Sequence, residues 1–181
     1  TLFPLTVGAM LIPALLPEKK IRLESDFTPV VKIATGYNVL VVNPSVPAHS
    51  ISELITLLKN ERSKLTYSAA AFGTPGHLLG ELFKLQTGTD PLIVPYTQVQ
   101  QRIADLLNGT THFAFYNTPG VVELIAAGKL RALAVTAPKR IAALKDVPTV
   151  AEQGLPGLGV EDWIGFVVKN GSPRETIQRI N

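Results

Sequence analysis

The chain has no cysteine among its 181 residues, and only one methionine and one tryptophan. Without thiols it can form neither a disulfide framework nor a thiolate zinc site. Charge is sparse as well: 17% of residues are charged against 46% hydrophobic, which marks a globular chain rather than a disordered one. The formal charge of +3 is too small and too dispersed for nucleic acid, though compatible with an anionic ligand. No G-x-G-x-x-G is present and no phosphate-loop lysine follows a glycine, so nucleotide binding has no support. No G-x-S-x-G elbow exposes a serine nucleophile. His49, His77 and His112 stand at no metal-like spacing, so neither a metal nor another cofactor is expected. Residues 1–17 are apolar but broken by Pro4 and Pro13, with no basic residues ahead of them. They read as part of a mature segment rather than a signal-peptide core or a membrane span. Lys19, Lys20 and Arg22 read as a solvated loop.

What is present is an alternation of short apolar runs with helical periodicity. Residues 27–34 are strand-like, and Val39, Leu40, Val41 and Val42 form the continuous apolar run of a buried strand. Ser50 followed by Glu53 is a capping box opening a helix over residues 51–59. Residues 65–67 read as a short strand, and Thr74-Pro75 as a helix start with a hydroxyl cap and proline in the first turn. Leu78, Leu79, Leu82, Phe83 and Leu85 would pack that helix on a sheet. Further strands are expected at 92–96, 111–116, 130–136 and 163–168, with helices at 98–107, 119–127, 147–152 and from Pro173. Strands alternating with helices through short loops define an α/β fold with a mainly parallel sheet. Ligands of such sheets gather at the carboxyl ends of the strands. The loops at 68–74, 96–98, 116–119 and 136–140 should therefore face one rim.

The first of those loops, Ser68-Ala69-Ala70-Ala71-Phe72-Gly73-Thr74, leads from a strand into a helix N-terminus. Free amides and the positive helix end meet there, which suits an anion; an ordinary βα turn has the same composition. His77 reads either as a ligand-reading group or as a local cap. Tyr96 and Tyr116 each follow a strand, and each serves either as a pocket wall with a hydroxyl to offer or as packing against loop prolines. Arg131, Lys139 and Arg140 are given at most a steering role. A hydrolase triad of Ser68, His77 and Asp105 is disfavoured because nothing brings the three together.

Four stretches, YSAAAFGTPGHLLGELFK, VPYTQVQQRIADLLNG, AAGKLRALAVTAPKR and DVPTVAEQGLPGL, together resemble the periplasmic solute receptors of tripartite tricarboxylate transporters, the Bug-type binding proteins. The resemblance runs from about Asp26 to the C-terminus, with DFTPVVKIATGYNVLVVNPSVPA fitting as well. It implies a two-lobed, Venus-flytrap periplasmic-binding-protein fold of type II and a location in the periplasm. It also implies capture of a small organic anion, a mono- or dicarboxylate, for membrane transporter subunits, without catalysis. Residues 1–43 would then be part of the first lobe and a first crossing strand, 44–163 the second lobe, and 164–181 a second crossing strand and the start of a first-lobe helix. Such receptors carry a further segment before Thr1, with a signal peptide and the first lobe's binding loop, and another after Asn181.

By the same resemblance the carboxylate loop falls on Ser68, Ala70, Ala71, Phe72, Gly73 and Thr74, leading to His77. Where the family commonly has Ser-Ala-Gly or Ser-Ser-Gly, this chain has Ser68-Ala69-Ala70-Ala71, losing a hydroxyl and a glycine. Lys-Gly after the Val-Pro-Tyr stretch is replaced by Thr97-Gln98, and Phe-Asp-Asn by Phe115-Tyr116-Asn117. The missing acid argues against an amino-acid ligand. Exposed first-lobe edges, with Leu11, Ile12, Leu15 and Leu16, would favour self-association, and a site closed from one side only would bind in the millimolar range or not at all. The competing reading is a ligand-sensing domain of a regulator with the same architecture, although no helix-turn-helix segment is present.

Overall fold

The structure is a computed structural model that describes residues 1–10, 22–60 and 63–181. Leu11, Ile12, Leu15, Leu16, Lys19 and Lys20 lie outside the described residues. The elements in chain order are β1 (Leu2–Thr6), α1 (Leu23–Asp26), β2 (Phe27–Gly36), β3 (Asn38–Val42), α2 (Ile51–Lys59), β4 (Thr66–Ala69) and α3 (Pro75–Thr87). There follow β5 (Leu92–Pro95), α4 (Val99–Asn108), β6 (Phe113–Asn117), α5 (Val122–Ala126), β7 (Arg131–Val135), β8 (Asp162–Lys169) and α6 (Arg174–Ile180). No helix among the described residues is long and apolar enough to cross a membrane.

The chain divides into two compact units, Thr1–Gly36 with Asp162–Asn181, and Tyr37–Glu161. The smaller unit is a three-stranded sheet in which β8 lies between β1 and β2 and runs antiparallel to both. The larger unit is a five-stranded sheet in the order β5-β4-β6-β3-β7. β3 therefore lies wholly in the larger unit and β8 wholly in the smaller, and the change of unit falls at Gly36/Tyr37 and at Glu161/Asp162.

Within the larger sheet β4 runs parallel to both β5 and β6, while β3 is antiparallel to β6 and to β7. Four strands thus share one direction and a single strand, β3, opposes them. The carboxyl ends of β4, β5, β6 and β7 emerge at one edge, so the four expected loops do share a rim, and β3 begins there with Asn38. All five β3 residues are buried. Leu40 and Val42 join one core cluster with Tyr67, Leu79, Phe83, Phe113 and Phe115. Val39 and Val41 join the other with Leu106, Ala114, Tyr116 and Val135. The period of two sends alternate residues to opposite faces, which is why this strand carries no polar residue between its ends. At its far end, Asn43 donates its side-chain amide to the carbonyls of Leu106 (2.8 Å) and Leu107 (3.0 Å), satisfying the C-terminus of α4.

Local expectations fare unevenly. The Ser50 hydroxyl accepts from the Glu53 amide (3.2 Å), and Glu53 Oε2 reaches back to the His49 amide (2.7 Å), one residue before the cap. Thr74 occupies the N-cap of α3 but its hydroxyl caps nothing. β4 continues two residues past Tyr67, because Ser68 and Ala69 pair with Val94 and Pro95 of β5. Tertiary pairing overrides their low strand preference, so Ser68 belongs to the strand and not to the loop. The helix expected over 119–127 is a 3-10 turn at Thr118–Gly120 followed by the short α5, interrupted at Val121. Residues 147–152 are not helical. Thr149 bridges Val135, the Val150 amide donates to Val135 O (2.9 Å), and Glu152 holds the Thr149 amide (2.6 Å) in a turn. Leu85 is 80% exposed, so the apolar face of α3 is carried by Leu79 and Phe83 instead.

α3 approaches the sheet closely through glycine. A Cβ at Gly80 would strike the Tyr67 ring, and one at Gly76 would come 2.8 Å from Phe115 O. The Tyr67 ring is fully buried and its hydroxyl donates to Glu81 (2.7 Å), so it has no room to yield. Gly80→Val is expected to lower the unfolding free energy by about 1–3 kcal/mol through overpacking. Leu85→Ala on the exposed face should stay within about 0.5 kcal/mol. Urea denaturation of both variants measures the contrast.

Candidate functional site

The loop between β4 and α3 is small-residue backbone closed by two contacts. The Thr74 amide donates to Ala71 O (3.2 Å), and the Gly73 amide donates to His77 Nδ1 (3.3 Å). Gly73 has φ +83°, where a side chain is strained. Ala71 and Phe72 are exposed, and the Phe72 ring, 70% exposed, lies edge-on to His77 at 4.9 Å. Burial pulls the His77 imidazole below its ordinary pKa; the Glu81 carboxylate opposes this and the Lys84 ammonium adds to it. The neutral ring is the form that accepts from Gly73. His77 is therefore the local cap that Thr74 is not. Pro75 brings no N–H, and the next amides of α3 have no carbonyl within the helix to serve.

Beneath this loop lies a guanidinium that the sequence reading did not single out. The β4–β6 ladder has one registered pair, Tyr67↔Phe113. Beyond it Arg102, reaching up from α4, donates Nη2 to Ser68 O (2.9 Å) on β4 and to Phe115 O (2.8 Å) on β6. One side chain thus continues the bonding where the ladder stops. Arg102 is 6% exposed, its guanidinium carbon lies 4.0 Å from the centre of the Tyr116 ring, and its Nε has no partner. Burial lowers its pKa from the ordinary value, while the phenols of Tyr116, Tyr96 and Tyr67 oppose the shift; a guanidinium stays charged regardless. The same Nη2 would be 3.6 Å from a Cβ at Gly76, so the cation sits against the first turn of α3. A signal existed in the sequence: Val99, Arg102, Ile103 and Leu106 share one helical stripe, which puts a charge on an apolar face.

The remaining residues take varied places. Tyr96 is half-buried and its hydroxyl donates to Asp105 Oδ2 (2.7 Å); burial first, then Asp105, push its pKa up to about 12. That hydroxyl is therefore engaged with α4. Thr97 and Asn117 are exposed at the ends of β5 and β6. Tyr116 is buried with its hydroxyl unpartnered, and burial raises its pKa while Arg102 opposes. Ser68 Oγ is likewise buried without a partner. Asn38, which the sequence reading passed over, is 3% exposed opposite Asn117, with its amide nitrogen unpartnered. Arg131 stands at the start of β7, on the other edge of the sheet, and donates to Val46 O (2.9 Å) and Ala48 O (3.2 Å); it does not face the rim. Arg140 pairs with Glu152 (3.1 Å). Ser68, His77 and Asp105 do not form a relay: His77 accepts from Gly73, and Asp105 from Tyr96 and Gln101. A concave region of about 450 Å³ lies at the opposite edge, where Lys64, Thr66, Asp90 and Leu92 begin β4 and β5. Among the described residues no group of three His, Asp or Glu could hold a metal.

The fold is that of periplasmic binding proteins. MatC from Rhodopseudomonas palustris with bound malate superposes with a TM-score of 0.87 at 26% identity, over 99% of this chain and 62% of its own. Rpa4515 from R. palustris, solved with adipate, gives 0.79 at 37% identity, over 88% of this chain and 54% of its own. Residues 5–181 match the family described as tripartite tricarboxylate transporter family receptor, and the chain belongs to that family. Protein BugT of Bordetella pertussis (strain Tohama I) is 34% identical over 178 residues, 98% of this chain and 53% of BugT. The chain spans about half the length of the curated relatives it matches.

Two imidazoles make stability depend on pH. His112 Nδ1 accepts from the Thr66 amide (3.1 Å), tying β6 to β4, and burial lowers its pKa as it does that of His77. With folded-state pKa values below the ordinary one, protonation favours the unfolded chain. Stability is therefore full above about pH 6.5 and falls as the pH drops from there toward the folded values. Denaturant titrations between about pH 7.5 and 5 should show this loss, and His112→Gln should flatten it.

Proposed function

We propose that this chain is the ligand-holding part of a periplasmic solute receptor. It binds a small organic carboxylate, unchanged, for delivery to membrane transporter subunits. The observation that carries the reading is the positive pole at the sheet rim. The amides of residues 70–72 lead into the first turn of α3, and against that turn lies a buried guanidinium that pairs with no carboxylate among the described residues. The similar structures of MatC and Rpa4515 carry malate and adipate, which fits a carboxylate of that size.

In this reading the backbone at Ala70, Ala71 and Phe72 supplies the donors, while the Gly73 and Thr74 amides, bonded to His77 and to Ala71 O, hold the loop's shape. Ser68 and Tyr116 offer their unpartnered hydroxyls from below. Thr97 and Asn117 flank the rim from β5 and β6, and Tyr96 serves as a wall, its hydroxyl being taken by Asp105. Asn38 joins the set through its free amide nitrogen. Nothing in the arrangement pairs a nucleophile with a base, so the ligand leaves as it came.

Titration calorimetry against mono-, di- and tricarboxylates, with product analysis for turnover, tests the reading. A dicarboxylate should bind and be recovered intact. Gly73→Val should abolish the binding while the circular dichroism spectrum stays that of the folded parent, because a β-branched residue cannot hold φ +83° in this half-exposed loop. Unchanged affinity in that variant would place the site elsewhere.

A further inference from the structure

Arg102 is an expensive residue for an unliganded domain. A buried cation without a counter-charge carries a desolvation cost that two carbonyls and one aromatic face offset only in part. Among the described residues, acids on the two flanking helices are committed elsewhere. Asp105, three positions along α4, accepts from Tyr96 and Gln101, and Glu81 on α3 accepts from Tyr67 and pairs with Lys84 (3.3 Å). The setting adds to the cost. The guanidinium lies against the first turn of α3, whose dipole already makes that end positive, so two like poles are held side by side. Its Nε donor is buried and unused, and so is the hydroxyl of Tyr116, the ring on which it stacks.

A merely structural brace between β4 and β6 would not need a charge. A neutral hydrogen-bonding or apolar side chain could fill the same space at lower desolvation cost. We infer that Arg102 is a positioning residue whose buried charge is the fixed counter-ion of the ligand's carboxylate, while its two bonds hold the Ser68 and Phe115 ends of β4 and β6 at the spacing the loop amides require. The inference rests on the carboxylate-receptor reading, and it adds that affinity and unliganded stability trade against each other at one residue. Arg102 itself is 6% exposed against the first turn of α3, so its charge acts on the ligand without touching it.

The test uses thermal melts and calorimetry on the chain and on Arg102→Met, Arg102→Gln and Arg102→Lys, with adipate, malate and inorganic sulfate as probes. The neutral variants should melt at or above the parent without ligand, yet bind adipate or malate at least about tenfold more weakly. Arg102→Lys, which keeps the charge and loses the two-carbonyl fork, should recover to within about threefold of the parent. A purely structural role gives the opposite pattern: lower melting points in the neutral variants, unchanged affinity in whatever folds, and no advantage of lysine over glutamine. That result overturns the inference. Sulfate separates the two levels. If it stabilises the parent but not the neutral variants while no carboxylate acts, the receptor reading fails and the role of the Arg102 charge stands. Equal stabilisation of parent and neutral variants by every probe sinks the Arg102 role and leaves the receptor reading in place.

Discussion

The larger unit depends on the double antiparallel pairing of β3. A strand that is buried along its whole length and bonded on both edges has no alternative partner, so its register fixes its neighbours. Because β3 opposes β6 and β7 equally, those two strands are forced into a common direction, and β4 and β5 follow by parallel pairing to β6 and to each other. Four carboxyl ends at one rim are thus a consequence of one reversed strand. The rim is polar where the strands end, at Asn38, Asn117 and Thr136.

Beneath that rim the sheet is not continuous. β4 and β6 separate after a single registered pair, and the parting is filled by a side chain instead of a backbone bond. A parallel ladder there would have closed over α4 and left only helix amides to define the electrostatics. The gap lets a charge from the opposite layer of the fold act at the surface. Low dielectric makes such a charge act more strongly than an exposed lysine or arginine on the same rim.

The class of fold was legible because its signals are periodic and cumulative. The uninterrupted run of Val39 to Val42 and the stripe of Leu79 and Phe83 each reflect burial, and burial is what hydrophobic pattern encodes. The Ser50 cap was legible for a different reason, since all its partners lie within four residues. Failures fall where a distant partner decides. Ser68 and Ala69 look like loop until β5 is known to pair with them, and residues 147–152 look helical until Val135 bridges Thr149 and accepts from the Val150 amide. Thr74 carries the right residue type for a cap, but His77 takes the neighbouring amide instead. Arg102 is the instructive omission. An arginine on an apolar helical stripe was visible, yet only the meeting of β4, β6 and α3 shows what it is aimed at.

The anchorage of α4 at Asn43 extends the reach of the site. That side chain holds the last carbonyls of the helix, so it sets the axial position of the lever whose first turn carries Arg102. Asn43 and Asn38 bracket opposite ends of the same five-residue strand, about 17 Å apart at strand rise. Selection for a new substrate need not act on the residues that meet it. On the proposed reading, a drift of the pivot at the back of the domain would shift the guanidinium under the ligand, and homologues with unchanged loops would diverge in preference.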